Sequence, residues 1–195
     1  MNGFEVLFSH IEQKVSLTDQ EREDIYRHFT PKFLLKKQYL LSEGEVCRHM
    51  AFVCSGLLKT YHIDEKGIEH ISLFGWEGWW LSDFSSFLTG IASVSFIDAI
   101  EDASLLLISR ENYEALTLRV PKMDRYFRIL YQNSIVTKER RLRNSVTYLA
   151  SERYLEFVES NQQIIDRIPQ NFIASYLGIA PETLSRIKHK ISKGQ

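Results

Sequence analysis

The chain reads as an α+β protein in three parts: an N-terminal β jelly roll with flanking helices, a long helix, and a C-terminal helical helix-turn-helix domain. Three observations predict this. Between Lys32 and Ile108, short alternating or apolar runs recur at roughly ten-residue spacing, the texture of a sandwich or barrel. After Arg110 the periodicity becomes helical and stays so. Residues 169–188 carry the apolar spacing and central glycine of two short helices joined by a tight turn.

The elements follow in order. Phe4 to Phe29 has helical spacing, broken at Leu17-Thr18-Asp19-Gln20-Glu21. Thr18 or Asp19 can cap a second helix carrying Ile25, Tyr26 and Phe29. Strand-like runs come next at Phe33–Leu35, Tyr39–Leu41, Met50–Cys54, Leu57–Ile63, His70–Phe74, Val94–Ile100 and Leu105–Ile108, with Gly44, Gly56 and Gly67 between them. Asp64-Glu65-Lys66-Gly67 is a polar turn that makes a hairpin of its neighbours.

Pro121 is suited to the first turn of a long helix. Met123, Phe127, Leu130, Ser134 and Thr137 are apolar or compact at near-heptad spacing along it, which predicts a dimer seam. A pair of such helices would set two DNA-binding units about one DNA turn apart. The division expected is 1–120, 121–144 for the dimerisation helix and hinge, and 145–195 for the helix-turn-helix domain, whose first helix runs from Val146 to Val158.

Within that last domain, Ile173 and Leu177 make an apolar stripe, and Ala174 leaves room for a crossing helix. Gly178 ends the first helix, Ile179 plugs the turn, and Pro181 starts the second helix, with Leu184 and Ile187 pointing back. Glu182, Thr183, Ser185, Arg186, Lys188 and His189 are left outward, groups suited to base edges and phosphates; Gln170 and Pro181 complete the candidate DNA-binding set. Ala180 is a weak N-cap, where Ser or Thr would satisfy free backbone donors.

The formal net charge of −1 hides an asymmetry. Residues 121–195 hold 13 Lys and Arg against 7 Asp and Glu, a balance of +6, whereas residues 1–120 hold 11 against 18, a balance of −7. A basic C-terminal third on an acidic body suits a polyanionic partner, double-stranded DNA above all. At 195 residues and 44% hydrophobic content, the chain can bury a substantial core. No apolar run approaches the roughly 18 residues that cross a bilayer, and the N-terminus lacks a leader pattern, so a cytoplasmic protein with no membrane partner is expected. Cys47 and Cys54 match neither a zinc nor a redox motif and are too few for an ordinary four-ligand iron–sulfur cluster; buried reduced thiols are expected.

This order of parts resembles the Crp/Fnr family of transcription regulators over nearly the whole chain. The matching residues are Gly44-Glu45, Gly56-Leu57, the hairpin Asp64–Gly67, Ala99-Ile100-Glu101-Asp102, and Glu182-Thr183-Leu184-Ser185-Arg186. The resemblance implies a homodimeric DNA-binding sensor whose cyclic-nucleotide-binding-like barrel holds a small-molecule effector, with RNA polymerase as a further candidate partner. It also implies that Glu182 and Arg186 read bases; Arg grips guanine bidentately and Glu accepts from cytosine.

Members that bind cyclic nucleotides carry Gly-Glu for the ribose and Arg-Ser or Arg-Thr for the phosphate. Here Ser82-Asp83 and Ser93 stand in those places. A buried phosphate without its cation loses several kcal/mol, so cyclic AMP is not the expected effector. The loop instead offers aromatics and hydroxyls, and the candidate effector pocket is Phe74, Trp80, Ser82, Asp83, Phe84, Ser85 and Ser93. The competing reading is a ligand-sensing or cupin-like jelly roll without sequence-specific DNA binding, with His49, His62 and His70 as metal ligands; the close His-x-His pattern it needs is missing. No catalytic residue, metal or cofactor is expected.

Overall fold

A computed structural model describes residues 2–193. Two helices open the chain, α1 (Gly3–Glu12) and α2 (Asp19–His28). Thr18 caps α2 through a reciprocal box: its hydroxyl accepts from the Glu21 N–H while the Glu21 carboxylate accepts from the Thr18 N–H. Eight strands then build the barrel: β1 (Thr30–Leu34), β2 (Tyr39–Leu41), β3 (His49–Ser55), β4 (Leu58–Ile63), β5 (Glu69–Gly75), β6 (Trp80–Leu81), β7 (Phe96–Ala99) and β8 (Ala103–Ser109), with the short helix α3 (Phe84–Thr89) between β6 and β7. They form two antiparallel four-stranded sheets, ordered β1-β8-β3-β6 and β2-β7-β4-β5.

Helix α4 (Arg110–Arg119) leads into α5 (Pro121–Thr147), followed by α6 (Ala150–Ser160), a 3₁₀ turn at Ile165–Arg167, α7 (Gln170–Leu177) and α8 (Pro181–Ser192). The long helix thus runs three residues past the boundary expected at 144, and α6 begins at Ala150, not Val146. Strand β6 was not visible in the sequence because two residues carry no periodicity.

Gly56, between β3 and β4, is required by shape as well as by its φ of 95°: a Cβ there would lie 2.4 Å from the Asp102 carbonyl oxygen. It lets the β3–β4 turn sit directly on the turn before β8.

The buried apolar residues form two clusters. One fills the barrel and continues outward under α1, α2, α4 and the first half of α5. In it, Met123 and Phe127 are buried at 0% and 1% exposure against this protomer's own barrel. They are therefore corrected from dimer seam to intramolecular core: the first half of helix α5 seals the barrel. Leu130 and Tyr131 pack at the margin of the same cluster, while Ser134 and Thr137 are exposed.

The second cluster lies on the outer face of the β4–β5 sheet, where Leu57, Tyr61, Ile71 and Phe74 meet Phe157, Ile168, Ile173 and Leu177 of the C-terminal helices. A bulge explains its composition. Thr60 pairs with Leu73 but Tyr61 with Ile71, so Ser72 is an extra residue, and Ile71 and Phe74 share a face despite their odd spacing.

Candidate DNA-binding face and effector cavities

In the helix-turn-helix, Ile173, Ala174 and Leu177 are buried, and Leu184 of α8 closes on them. Gly178 takes the left-handed conformation, φ 66°, and its N–H caps α7 on the Ala174 and Ser175 carbonyls. Ile179 follows with a bond from its N–H to the Ala174 carbonyl. Pro181 occupies the first turn of α8, and Ala180 supplies no side-chain cap. Glu182, Ser185, Arg186 and His189 are exposed and fall at i, i+3, i+4 and i+7, one face of the helix. Thr183 and Lys188 are half-buried beside them, and Gln170 is exposed at the start of α7.

The domain is fastened to the barrel by polar contacts as well as apolar ones. Arg167 forks across two barrel carboxylates, donating from Nη1 to Glu77 at 2.9 Å and from Nη2 to Glu101 at 2.6 Å. Burial alone would raise the Glu77 pKa, but hydrogen bonds from Arg167 and from the Gly56 N–H outweigh it and hold the carboxyl below its ordinary value. Ser175 of α7 caps the open edge of β5: its hydroxyl donates to the Glu69 carbonyl at 2.6 Å and accepts from the Ile71 N–H at 3.0 Å. Lys59 is buried on the outer face of β4, paired with Glu69 at 2.5 Å and Asp98 at 3.6 Å, and lies 4.8 Å from the ring of Phe172 on α7. Sequence reasoning missed this whole set, because each member reads as an ordinary surface charge or hydroxyl until the two parts are brought together.

The expected effector residues do not converge. Phe74 faces outward into the second cluster, 6.2 Å from Phe157 and 5.4 Å from Tyr176, because the Ser72 bulge resets the alternation of β5. Asp83 is the N-cap of α3, accepting from the Ser86 N–H at 3.1 Å, and its other oxygen accepts from the buried Ser93 hydroxyl at 2.7 Å. Asp83 and Ser93 are thus a loop clamp, and a carboxylate stands where a phosphate would need a cation. Ser85 is exposed on α3.

Trp80 lies outside the barrel lumen. Its indole N–H donates to the Tyr126 hydroxyl at 2.9 Å, which leaves that hydroxyl free to donate to His10 Nδ1 at 2.7 Å. The acceptor role suits a neutral imidazole: burial, then Lys14, lowers the His10 pKa to about 4. Trp80, Ser82 and Phe84 do line a cavity of about 360 Å³ between α3 and α5, and its far wall is Phe127, Leu130 and Ser134. The effector and seam residues therefore meet there.

A larger cavity, about 550 Å³, opens at the barrel end under the loop after β2. Leu41, Leu81, Ile97 and Leu107 line its interior, with Lys32, Glu45, Arg48 and His49 at its polar rim. Burial, and then the Arg48 charge, lowers the His49 pKa. His49 stands on β3, whereas His62 and His70 stack on β4 and β5 of the other sheet at 5.0 Å, so the three do not gather as metal ligands. Both cysteines are free and buried, and burial pushes the Cys54 thiol up to about 11.

The observed architecture is thus an eight-stranded jelly roll that leads through one long helix into a helix-turn-helix. The cyclic nucleotide-binding domain family model matches residues 31–119. The fumarate and nitrate reduction regulatory protein of Vibrio cholerae is 27% identical over 177 residues, covering 84% of this chain and 69% of its own length. An anaerobic regulatory protein of Pasteurella multocida is 27% identical over 176 residues, covering 83% and 63%. Thus the matched stretch spans about two thirds of these relatives. Among solved structures, FixK2 from Bradyrhizobium japonicum superimposes with a TM-score of 0.72 at 20% identity, covering 85% of this chain and 86% of its own. The chain carries a cyclic nucleotide-binding domain and, by these matches, is a transcription regulator of the Crp/Fnr type.

Proposed function

We propose that the protein binds double-stranded DNA as a homodimer, reading bases with Glu182 and Arg186, and that a small effector other than cyclic AMP controls it. The observation that carries this reading is the α8 face: Glu182, Ser185, Arg186 and His189 are exposed together, opposite the buried Leu184 that packs into the domain's core. Lys188, Gln170 and the basic balance of residues 121–195 supply positive charge and donors for phosphates. Relatives of this family act on transcription, so RNA polymerase is kept as a further partner.

The dimer surface assigned in this reading is the second half of α5. Ile135 and Leu142 are 57% and 69% exposed and seven residues apart, with Val146 one turn further on at 80%. A run of exposed apolar side chains at that spacing needs a partner, and a second copy of the helix supplies the same repeat. The effector is placed in the barrel-end cavity, whose apolar interior and cationic rim fit a small amphipathic anion. Cytoplasmic location goes with the DNA partner; among the described residues, no helix is long and apolar enough to cross a membrane. No catalytic role is assigned to any residue.

Fluorescence anisotropy against a random duplex pool, at low and high salt, tests the DNA reading. Binding whose affinity falls steeply with salt supports it. Absence of any salt-sensitive binding at micromolar protein overturns it.

A further inference from the structure

A third cavity, of about 430 Å³, lies where the barrel, the long helix and the DNA-binding domain meet. Its aromatic wall is Trp76 and Trp79, just after β5, with ring centroids 4.1 Å apart. Helix α5 contributes Arg140, α6 contributes Arg153 and Glu156, and α7 contributes Tyr176. Glu156 is already occupied: it accepts from Asn144 Nδ2 at 2.6 Å and lies 3.6 Å from Arg140 Nε. Arg141, which also lines the cavity, donates to the Ser72 and Tyr176 carbonyls, which are neutral acceptors.

Arg153 is different. Its Nε is buried and has no hydrogen-bond acceptor among the described residues. A buried guanidinium N–H without an acceptor is costly, and its geometry suits a planar two-oxygen anion. Three guanidinium groups against one carboxylate leave the cavity cationic, and the two indoles, tilted 40° to one another, give it an aromatic wall.

We infer that this interdomain cavity is a binding site for a planar aromatic anion, a ring bearing a phosphate or a carboxylate, with Arg153 holding the anionic group and Trp76 and Trp79 facing the ring. The site is separate from the barrel-end cavity and does not depend on DNA binding. Its regulatory consequence does rest on the transcription-regulator reading. Because its walls come from three parts, an occupant favours the docked arrangement of the DNA-binding domain over any arrangement that parts those walls.

Titration calorimetry on the full chain tests the site with two anions, 5′-AMP and indole-3-acetate, against their neutral counterparts adenosine and indole. Saturable binding of one site per chain is expected for at least one anion, at least tenfold tighter than for its counterpart. The favoured anion tells phosphate from carboxylate. Arg153→Ala, and independently Arg140→Ala on a different helix, should each weaken that binding at least tenfold with the thermal unfolding midpoint retained. Lys32→Ala, at the rim of the barrel-end cavity, should leave it unchanged. If neither anion saturates below the millimolar range, if both arginine variants bind as tightly as the parent, or if Lys32→Ala abolishes binding, the assignment is overturned.

Discussion

Replacing Arg167 by Ala removes the fork that ties the DNA-binding domain to the barrel. The guanidinium serves Glu77 through Nη1 at 2.9 Å and Nη2 at 3.1 Å, and Glu101 through Nη2 at 2.6 Å and Nε at 3.1 Å. Sheltered hydrogen bonds to charged groups contribute about 1.5–3 kcal/mol each. Here the side chains are between 29% and 39% exposed, so solvent screening brings each carboxylate pairing to about 1 kcal/mol. The two together give about 2 kcal/mol, or roughly a 30-fold shift toward the undocked state.

A local reporter exists: the Ile71 amide sits on the open edge of β5 and donates only across the interface, to the Ser175 hydroxyl. Native-state hydrogen exchange should show Ile71 accelerated by about that 30-fold, while the Val53 amide, bonded to the Trp79 carbonyl within the barrel, keeps its rate. Arg167→Lys, a point charge without the fork, should fall between. Unchanged exchange at Ile71 would refute the latch, and equal acceleration at Val53 would show global destabilisation instead.

Four further outcomes are expected. Arg186→Ala should lose about 1–3 kcal/mol of discrimination at one base pair of a selected operator, and an equal loss on every sequence would contradict base reading. Calorimetry with cyclic AMP should show no saturable heat at submillimolar ligand, since Ser93 and Asp83 present a carboxylate in place of a cation; clear saturation would sink that argument. Light scattering of Leu142→Glu should fall toward the 22.9 kDa of one chain, whereas Met123→Ala should lower stability by about 2–5 kcal/mol with the mass unchanged. His10 titrates below its ordinary value, so its contribution is complete above about pH 6.5 and is lost as the pH falls toward about 4. That loss, of order 1–2 kcal/mol after discounting for partial exposure, should be reduced in His10→Gln when unfolding is followed across this range.

The features legible in the sequence were those with a local cause. Thr18 and Glu21 announce a helix start, Asp64–Gly67 a hairpin, and Gly178-Ile179-Ala180-Pro181 a turn between helices, because the residues that make each element are neighbours in the chain. The outward face of α8 followed from the same periodicity, whereas base reading by Glu182 and Arg186 was implied by the family resemblance. The effector residues failed for the opposite reason. Their proximity in sequence suggested one pocket, but one extra residue at Ser72 turned Phe74 outward, and a cap claimed Asp83. Met123 and Phe127 showed the limit of a heptad pattern: apolar spacing identifies a face, and whether the barrel or a second copy covers it is decided by residues far away. Arg167 and Ser175 carried no signal, since their partners lie 66 to 106 residues distant.

The docking surface has an apolar centre and a polar border, and the two govern different properties. Phe74, Phe157, Ile173 and Leu177 bury ring and aliphatic area without direction, so they set how strongly the DNA-binding domain adheres. Arg167, Ser175 and Arg141 are directional, so they fix the angle at which it sits. On separation the border groups are rehydrated at modest cost, and Lys59 stays paired with Glu69 and Asp98 inside the barrel, losing only the Phe172 ring. No buried charge is stranded by the parting. An interface in which Lys59 found its counter-ion on α7 would cost about 3–5 kcal/mol more to open. The position of the basic group on the barrel side, with its carboxylates beside it, therefore lowers the cost of parting the DNA-binding domain from the barrel.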